Sequence, residues 1–410
     1  MTAETISFPL DPGAAALLTR LHAAGYAAYA VGGCVRDSLL GQTPHDWDLC
    51  TSATPEQVLE LFGEAHCIPT GLQHGTVTVK HGGELYEITT FRTEGAYSDG
   101  RHPDHVAFVP DVKEDLARRD FTINAMAYNA EEGLIDPFGG QNDLAAGIVR
   151  AVGEPQRRFE EDALRILRLY RFAARFGFAI DPATGQAARA LCRHLGCVSE
   201  ERIAEELSRL LAAPAPGAYL EAEVLAVIFP ELDAAELPES RRILDALEPG
   251  MEHVPVRLAA LLCPLGEAGA RAALRRLKCS NALTGTVATL VREAAAGMPG
   301  AALTLTAKRF LSRYDLATIT DLTALCSAQH PEQAEAFAAL QQEAARLVET
   351  NACCRINQLA VNGRDLMDAG IRPGPGLRRV LDALLEQVLT GQLPNEKAAL
   401  LAAAAQVAAS

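Results

Sequence analysis

The chain has 410 residues, too many for one ordinary core, and 49% of them are apolar against 22% charged, the balance of a folded protein. Its formal net charge of −15 excludes a broadly basic surface that would hold nucleic acid non-specifically, but leaves room for a local basic groove. No apolar run is long enough to span a bilayer, residues 1–10 lack the basic patch and apolar core of a signal peptide, and the ten cysteines form no C-x-x-C pair or Cys/His array, so reduced thiols in a cytoplasmic protein are expected.

Up to residue 150 the pattern alternates. Residues 27–31 read as a strand, Gly32-Gly33 as a turn, and residues 35–40 as a short helix ended by Gly41. Residues 46–51 read as a strand, and residues 55–62 as a helix capped by Thr54. Three β-rich runs follow, at 76–80, 85–91 and 105–108, separated by Gly, Asp and Pro. The spacing predicts an α+β head with a small mixed sheet. From Pro155 onward no strand is expected, and the chain reads as all-α. Residues 157–176, 183–195, 199–212 and 255–262 carry apolar residues at helical spacing, with Leu164, Leu167, Tyr170 and Ala174 in one stripe. A Pro/Gly-rich interval at 371–376 precedes a last pair of helices. The expected divisions are a head at 1–150, a neck at 151–215, a body at 216–350 and a tail at 351–410.

Two features of the head carry chemistry. Gly32-Gly33 between a strand and a helix lets backbone N–H groups approach a phosphate, and Arg36 can add a charge-assisted contact. Alone, such a pair is more often just a tight turn. About a dozen residues on, Asp46 and Asp48 stand two apart on the expected strand, which sends both carboxylates to one face. Like charges so close repel, and Mg²⁺, a hard cation that keeps positions open for phosphates, would compensate them. An isolated D-x-D also fits an exposed acidic strand edge, but the glycine turn before it makes the metal reading the better one. Glu87, on the 85–91 strand, is either a third metal ligand or an ordinary strand glutamate.

The turn and the carboxylate pair together resemble the DNA polymerase β nucleotidyltransferase superfamily. Three further segments narrow the resemblance to class II tRNA nucleotidyltransferases and bacterial poly(A) polymerases: Arg118-Arg119-Asp120-Phe121-Thr122-Ile123-Asn124-Ala125-Met126, Glu161-Asp162-Ala163-Leu164-Arg165-Ile166-Leu167-Arg168, and Glu201-Arg202-Ile203-Ala204-Glu205-Glu206-Leu207. The resemblance is specific over the first half of the chain and diffuse over the second. Within it, residues 93–104 match a mobile loop that members adding the complete CCA sequence carry. The implied activity is template-independent addition of CCA to the 3′ end of tRNA from CTP and ATP, with Mg²⁺ held by Asp46 and Asp48. The implied nucleotide-binding residues are Gly33, Arg36, Arg119, Asp162, Arg165, Arg168 and Arg171.

Asp162 and Arg165, read as i, i+3 neighbours on a helix, could serve as a protein template. The carboxylate accepts from the amine of cytosine or adenine while the guanidinium donates to the ring nitrogen; guanine and uracil would set a carbonyl against the carboxylate. The same spacing also makes a commonplace surface ion pair. Arg168, Arg171 and Arg175 continue the basic series, which without the resemblance is a solvated helix face. Basic residues farther on, Arg271, Arg275, Arg276, Lys278, Arg378 and Arg379, fit either phosphate contacts or solvated charges. The leucine run at 257–262 ends in Cys263-Pro264 and reads as a helical remnant without phosphohydrolase activity. Poly(A) polymerase, a partial enzyme adding only CC or only A, and a non-catalytic RNA-binding relative are the rival readings.

Overall fold

The computed structural model describes residues 7–95, 106–297 and 302–409. It divides into two units, Met1–Pro230 and Glu231–Ser410.

The first unit opens with α1 (Pro12–Ala23), started by Asp11, whose carboxylate accepts from Ala14 N at 2.9 Å and from the Tyr86 hydroxyl at 2.6 Å. One seven-stranded mixed sheet follows, in the order β3-β4-β5-β2-β1-β8-β9. Its strands are β1 (Ala28–Val31), β2 (Leu49–Thr51), β3 (Cys67–Gly71), β4 (Thr76–His81), β5 (Glu84–Thr90), β8 (Ala127–Asn129) and β9 (Gly133–Ile135). All neighbours pair antiparallel except β2 and β5, which run parallel with Leu49 beside Ile88. β1 lies near the middle of the sheet and every residue of it is buried. Its Tyr29 and Val31 pack with Cys50, Phe91 and Leu116 in the head core. The intervening helices are α2 (Gly33–Leu39), α3 (Pro55–Phe62), α4 (Val112–Ala117) and α5 (Gly140–Ala146). Thr54 closes a full capping box on α3, satisfying two of that helix's orphan backbone groups. A separate hairpin, β6 (Arg92–Glu94) with β7 (Val106–Phe108), flanks residues 96–105, so most of the expected mobile loop lies outside the described residues.

The first unit continues with α6 (Pro155–Glu161), α7 (Leu164–Phe176), α8 (Pro182–Leu191), α9 (Glu200–Leu211) and α10 (Ala222–Ile228). Two expectations change here. The helix expected over 157–176 is broken, because Asp162 takes extended dihedrals (φ −146°, ψ 103°) between α6 and α7. A short strand also occurs beyond Pro155: β11 (Ala179–Ile180) pairs in parallel with β10 (Ile148–Val149), tying the neck to the end of the head. Two-residue strands leave no periodicity to read.

The second unit is helical throughout its described residues: α11 (Leu237–Asp245), α12 (Val254–Leu262), α13 (Gly266–Arg276), α14 (Asn281–Ala296), α15 (Leu303–Arg313), α16 (Leu316–Gln329), α17 (Ala334–Glu349), α18 (Gly363–Asp368), α19 (Pro375–Leu389) and α20 (Lys397–Ala409). The leucine run forms α12, whose Leu258 to Leu262 are all buried. Arg257, fully buried among them, donates to the backbone carbonyls of Leu247 and Glu248, which follow the C-terminus of α11. Arg271, Arg276 and Arg378 are each paired with a carboxylate, of Glu267, Glu231 and Asp382. Among the described residues no helix is long and apolar enough to cross a membrane.

Candidate active site

The glycine turn is built by a backbone that only glycine tolerates. Gly32 follows β1 at φ 77°, ψ −122°, donates to Met126 O of the neighbouring segment at 3.1 Å, and its carbonyl accepts from Arg36 N at 3.1 Å. Gly33 then opens α2, two residues earlier than periodicity predicts. A Cβ at Gly32 would stand 3.0 Å from Arg119 Nη1, and one at Gly33 would stand 3.6 Å from Arg36 Nη2. The missing side chains thus leave a cradle flanked by two guanidinium groups.

Those two arginines are held differently. Arg119 Nη2 donates to Asp115 at 3.2 Å, while its buried Nε has no partner. Asp115 itself is fully buried and also takes Arg118 at 2.8 Å. Burial pushes its carboxyl up, but Arg118 and Arg119 outweigh that and hold it below the usual carboxylate range. Arg36, only 4% exposed, donates to Asp37 at 2.7 Å and to Asn124 Oδ1. Its Nη2, which flanks Gly33, also stands 2.7 Å from Asp37, so a phosphate in the cradle would share that nitrogen with the carboxylate.

The carboxylates stand at the adjoining strand end. The strand expected from residue 46 begins only at Leu49, so Asp46 and Asp48 lie on the irregular chain leading into it. Asp48 nevertheless keeps the sheet's alignment, since its carbonyl accepts from Val31 N at 3.0 Å. Extending the Leu49–Ile88 register by one residue sets Asp48 beside Glu87 on the parallel strand. Asp48 is solvent-exposed, yet neighbouring protein partly desolvates its carboxyl. That desolvation, then the repulsion of Glu87 and Asp46, raises its pKa, and Arg119 offsets part of the rise. Asp46 and Glu87 are exposed. Among the described residues no group of three His, Cys, Asp or Glu side chains is drawn to metal-binding distance. The donor set fits a hard divalent cation all the same: oxygen only, mutually repelling and solvent-accessible.

The third cluster lies at the start of α7. Asp162 is not on the helix; its Oδ1 caps it by accepting from Leu164 N at 3.0 Å, and its Oδ2 accepts from Arg202 of α9 at 2.8 Å. Arg165 instead donates to Glu161 at 2.8 Å and to the Arg118 carbonyl at 3.1 Å. The expected i, i+3 pairing of Asp162 with Arg165 is therefore absent, because the chain needs a non-helical residue where α6 turns into α7. Nor do the arginines that follow form a solvated face. Arg165 and Arg171 are 9% and 7% exposed. Arg168 donates through Nε and Nη2 to Asp120 at 2.9 and 2.6 Å, and Arg171 donates through Nε to Glu206 of α9 at 2.6 Å. Asp120 also accepts from Asn124 at 3.0 Å, which closes a chain of contacts from Arg36 through Asn124, Asp120 and Arg168 to Glu206 and Arg171. Sequence reasoning missed Asp115, Asp120, Asn124 and Glu206. For Glu206 a signal existed: it falls on the same face of α9 as Ile203, Leu207 and Leu210, where an unpaired carboxylate would be too costly to bury.

A glycine cradle lined by arginine, an acidic edge beside it and an arginine-rich helix define a nucleotidyltransferase head and neck, and comparison with known proteins agrees. Residues 28–150 match the family described as Poly A polymerase head domain, residues 177–236 that of the probable RNA and SrmB-binding site of polymerase A, and residues 252–404 that of tRNA nucleotidyltransferase domain 2. The CCA-adding enzyme of Lactiplantibacillus plantarum is 39% identical, with 96% of each chain covered, and that of Lacticaseibacillus paracasei is 38% identical, with 95% of each covered. The crystal structure of the Bacillus stearothermophilus CCA-adding enzyme in complex with CTP superposes with a TM-score of 0.80 at 32% identity, covering 97% of this chain and 98% of that one. The chain belongs to the CCA-adding enzyme family.

Proposed function

We propose that this protein adds CCA to the 3′ end of tRNA, using CTP and ATP and releasing pyrophosphate. The observation that carries the reading is the meeting, at one end of β1 and β2, of the Asp46–Asp48–Glu87 edge with the glycine cradle that Arg36 and Arg119 flank. The triphosphate would rest on the Gly33 backbone, with Arg119 supplying the donors its present contacts leave unused. The tRNA 3′-hydroxyl would then attack the α-phosphorus in line with the departing pyrophosphate. Asp46 and Asp48, with Glu87 beside them, would hold the divalent ion, Mg²⁺ in this reading. When bound, that ion lowers the pKa of the attacking hydroxyl and offsets charge on the leaving group. The rest is positioning and electrostatics, with no covalent intermediate on the protein.

Base selection falls to Asp162, whose carboxylate Arg202 orients, with Arg165, Arg168 and Arg171 behind it. An amine on cytosine or adenine satisfies that carboxylate, whereas the carbonyl of guanine or uracil would be repelled by it. In this reading the head (1–150) performs the transfer and the neck (151–215) reads the base. The body (216–350) and tail (351–410) hold tRNA by shape and backbone. Ten free cysteines suit a cytoplasmic setting.

The test is single-nucleotide incorporation on tRNA ending at its discriminator base. Asp46→Ala and Asp48→Ala should each abolish incorporation while circular dichroism stays unchanged. Activity surviving in either variant would remove the assigned ion site.

A further inference from the structure

We propose that Phe172 and Phe176, one turn apart on α7, are positioning residues that hold the triphosphate turn and the base-reading arginines in register; this rests on the nucleotidyltransferase reading above. The two rings lie parallel, 6.3 Å between centroids with an interplanar angle of 1°, and Phe121 of the head meets Phe172 edge-on at 5.8 Å. Guanidinium groups cover both rings. The Arg171 carbon stands 4.0 Å from the Phe172 centroid, and those of Arg168 and Arg36 each stand 5.3 Å from it. Arg36 also lies 4.9 Å from the Phe176 centroid, as does Arg175, whose Nη2 reaches Asp37 at 3.3 Å.

The same pair of rings thus meets arginines from two functional elements. Arg36 comes from the helix that the glycine turn opens and brings Nη2 to the cradle over Gly33. Arg168 and Arg171 belong to the helix that reads the base. A guanidinium within about 6 Å of a ring face is attracted by the ring quadrupole, more strongly where water is excluded, and Phe172 is only 4% exposed. The attraction to the ring restrains where each guanidinium carbon sits while its N–H groups remain the donors for phosphate and base. The carboxylates of Asp37, Asp120 and Glu206, with the Asn124 amide, hold other N–H groups of the same guanidiniums. Without the rings the like-charged heads would keep their partners but lose the aromatic surface they share. A leucine of similar bulk would fill the space and orient nothing.

Two outcomes follow if the rings act by their quadrupole. Affinity for CTP and for ATP should fall together, since both nucleotides use the same turn and arginines. Discrimination against GTP and UTP should hold, because Asp162 lies outside the stack.

Ring-fluorinated phenylalanines test this, being close to phenylalanine in shape while the negative potential of the ring face weakens with each fluorine and is reversed in the pentafluoro ring. Placed at position 172 of the full chain, the series should raise KM for both CTP and ATP stepwise, to about tenfold for the pentafluoro ring. Selectivity against GTP should stay constant, and Phe172→Leu should raise KM for both nucleotides, by less than the pentafluoro ring does. A flat KM, within about twofold across a series that folds, would overturn the proposal and leave Phe172 a packing residue. Should the pentafluoro ring unfold the protein, the same series at the half-buried Phe176 decides by the same criterion, with Phe176→Tyr expected to retain affinity. An unmodified protein that incorporates nothing would instead defeat the underlying nucleotidyltransferase reading.

Discussion

Replacing Asp120 by asparagine tests whether the arginines of α7 are preset by head carboxylates. Asp120 is 8% exposed and accepts four hydrogen bonds, two from Arg168 at 2.9 and 2.6 Å, one from Asn124 at 3.0 Å and one from Phe121 N at 2.8 Å. Asp120→Asn removes the charge and leaves Arg168 with Glu206, 3.6 Å away, as its remaining ion pair. Breaking a buried ion pair from one side costs about 3–5 kcal/mol. The amide oxygen still accepts, and Arg168 is 31% open to water, so the lower end applies, about 3 kcal/mol. For a unit of the size of Met1–Pro230 that corresponds to a thermal midpoint lowered by about 6–12 °C, read by calorimetry. A double-mutant cycle with Arg168→Gln should return a coupling above about 1 kcal/mol, and KM for CTP should rise as the loosened guanidinium loses its orientation. A midpoint within about 2 °C of the unmodified protein, with no coupling, would refute the argument.

The same carboxylates set an acid limit. Burial pushes Asp115 and Asp120 up, but Arg118 and Arg119 in one case, and Arg168 with Asn124 in the other, hold both below the ordinary range. A depressed carboxylate stabilises the fold above its unfolded pKa of about 4 and loses that contribution as pH falls through the folded value. Stability should therefore fall as pH drops below about 4, and Asp120→Asn should flatten that decline in urea titrations. Gly32→Ala should destabilise by about 1–3 kcal/mol, because φ is 77° and the new methyl meets Arg119 Nη1, and should raise KM for both nucleotides in steady-state assays. Arg202→Ala should leave the midpoint within about 1 °C but increase misincorporation of GTP and UTP, as Asp162→Ala should more strongly. Unchanged selectivity in both variants would contradict the template role.

Much of the architecture was legible in the sequence. The period-two runs forming β4 and β5, the Thr54 cap and the change to helical spacing after Pro155 are local signals, and each appears within a residue or two of its expected place. Several of the elements missed are short. β8 and β9 have three residues each, too few for alternation to register. The break at Asp162 was hidden because the apolar stripe runs on from Phe159 to Leu164 with nearly helical spacing; what ends the helix is a carboxylate that caps the next one. In the site, residue types and spacing pointed to the glycine turn and the acidic pair, both local features. The neighbourhood of Glu87 and Asp48 depends on a parallel pairing between distant segments, which no local pattern encodes. The partners of the arginines were equally hidden: Asp120 and Glu206 stand within motifs read for their basic members, and only packing brings them to Arg168 and Arg171.

One measurement bears on the whole account. The protein is incubated with a divalent cation and tRNA truncated before its last three nucleotides, CTP and ATP are supplied singly and together, and the 3′ ends are sequenced. The account predicts two cytidines with CTP alone, a completed CCA with both, and nothing beyond it. Runs of adenosine on many RNAs, or ends left unextended while the protein is folded and metal is present, would contradict it.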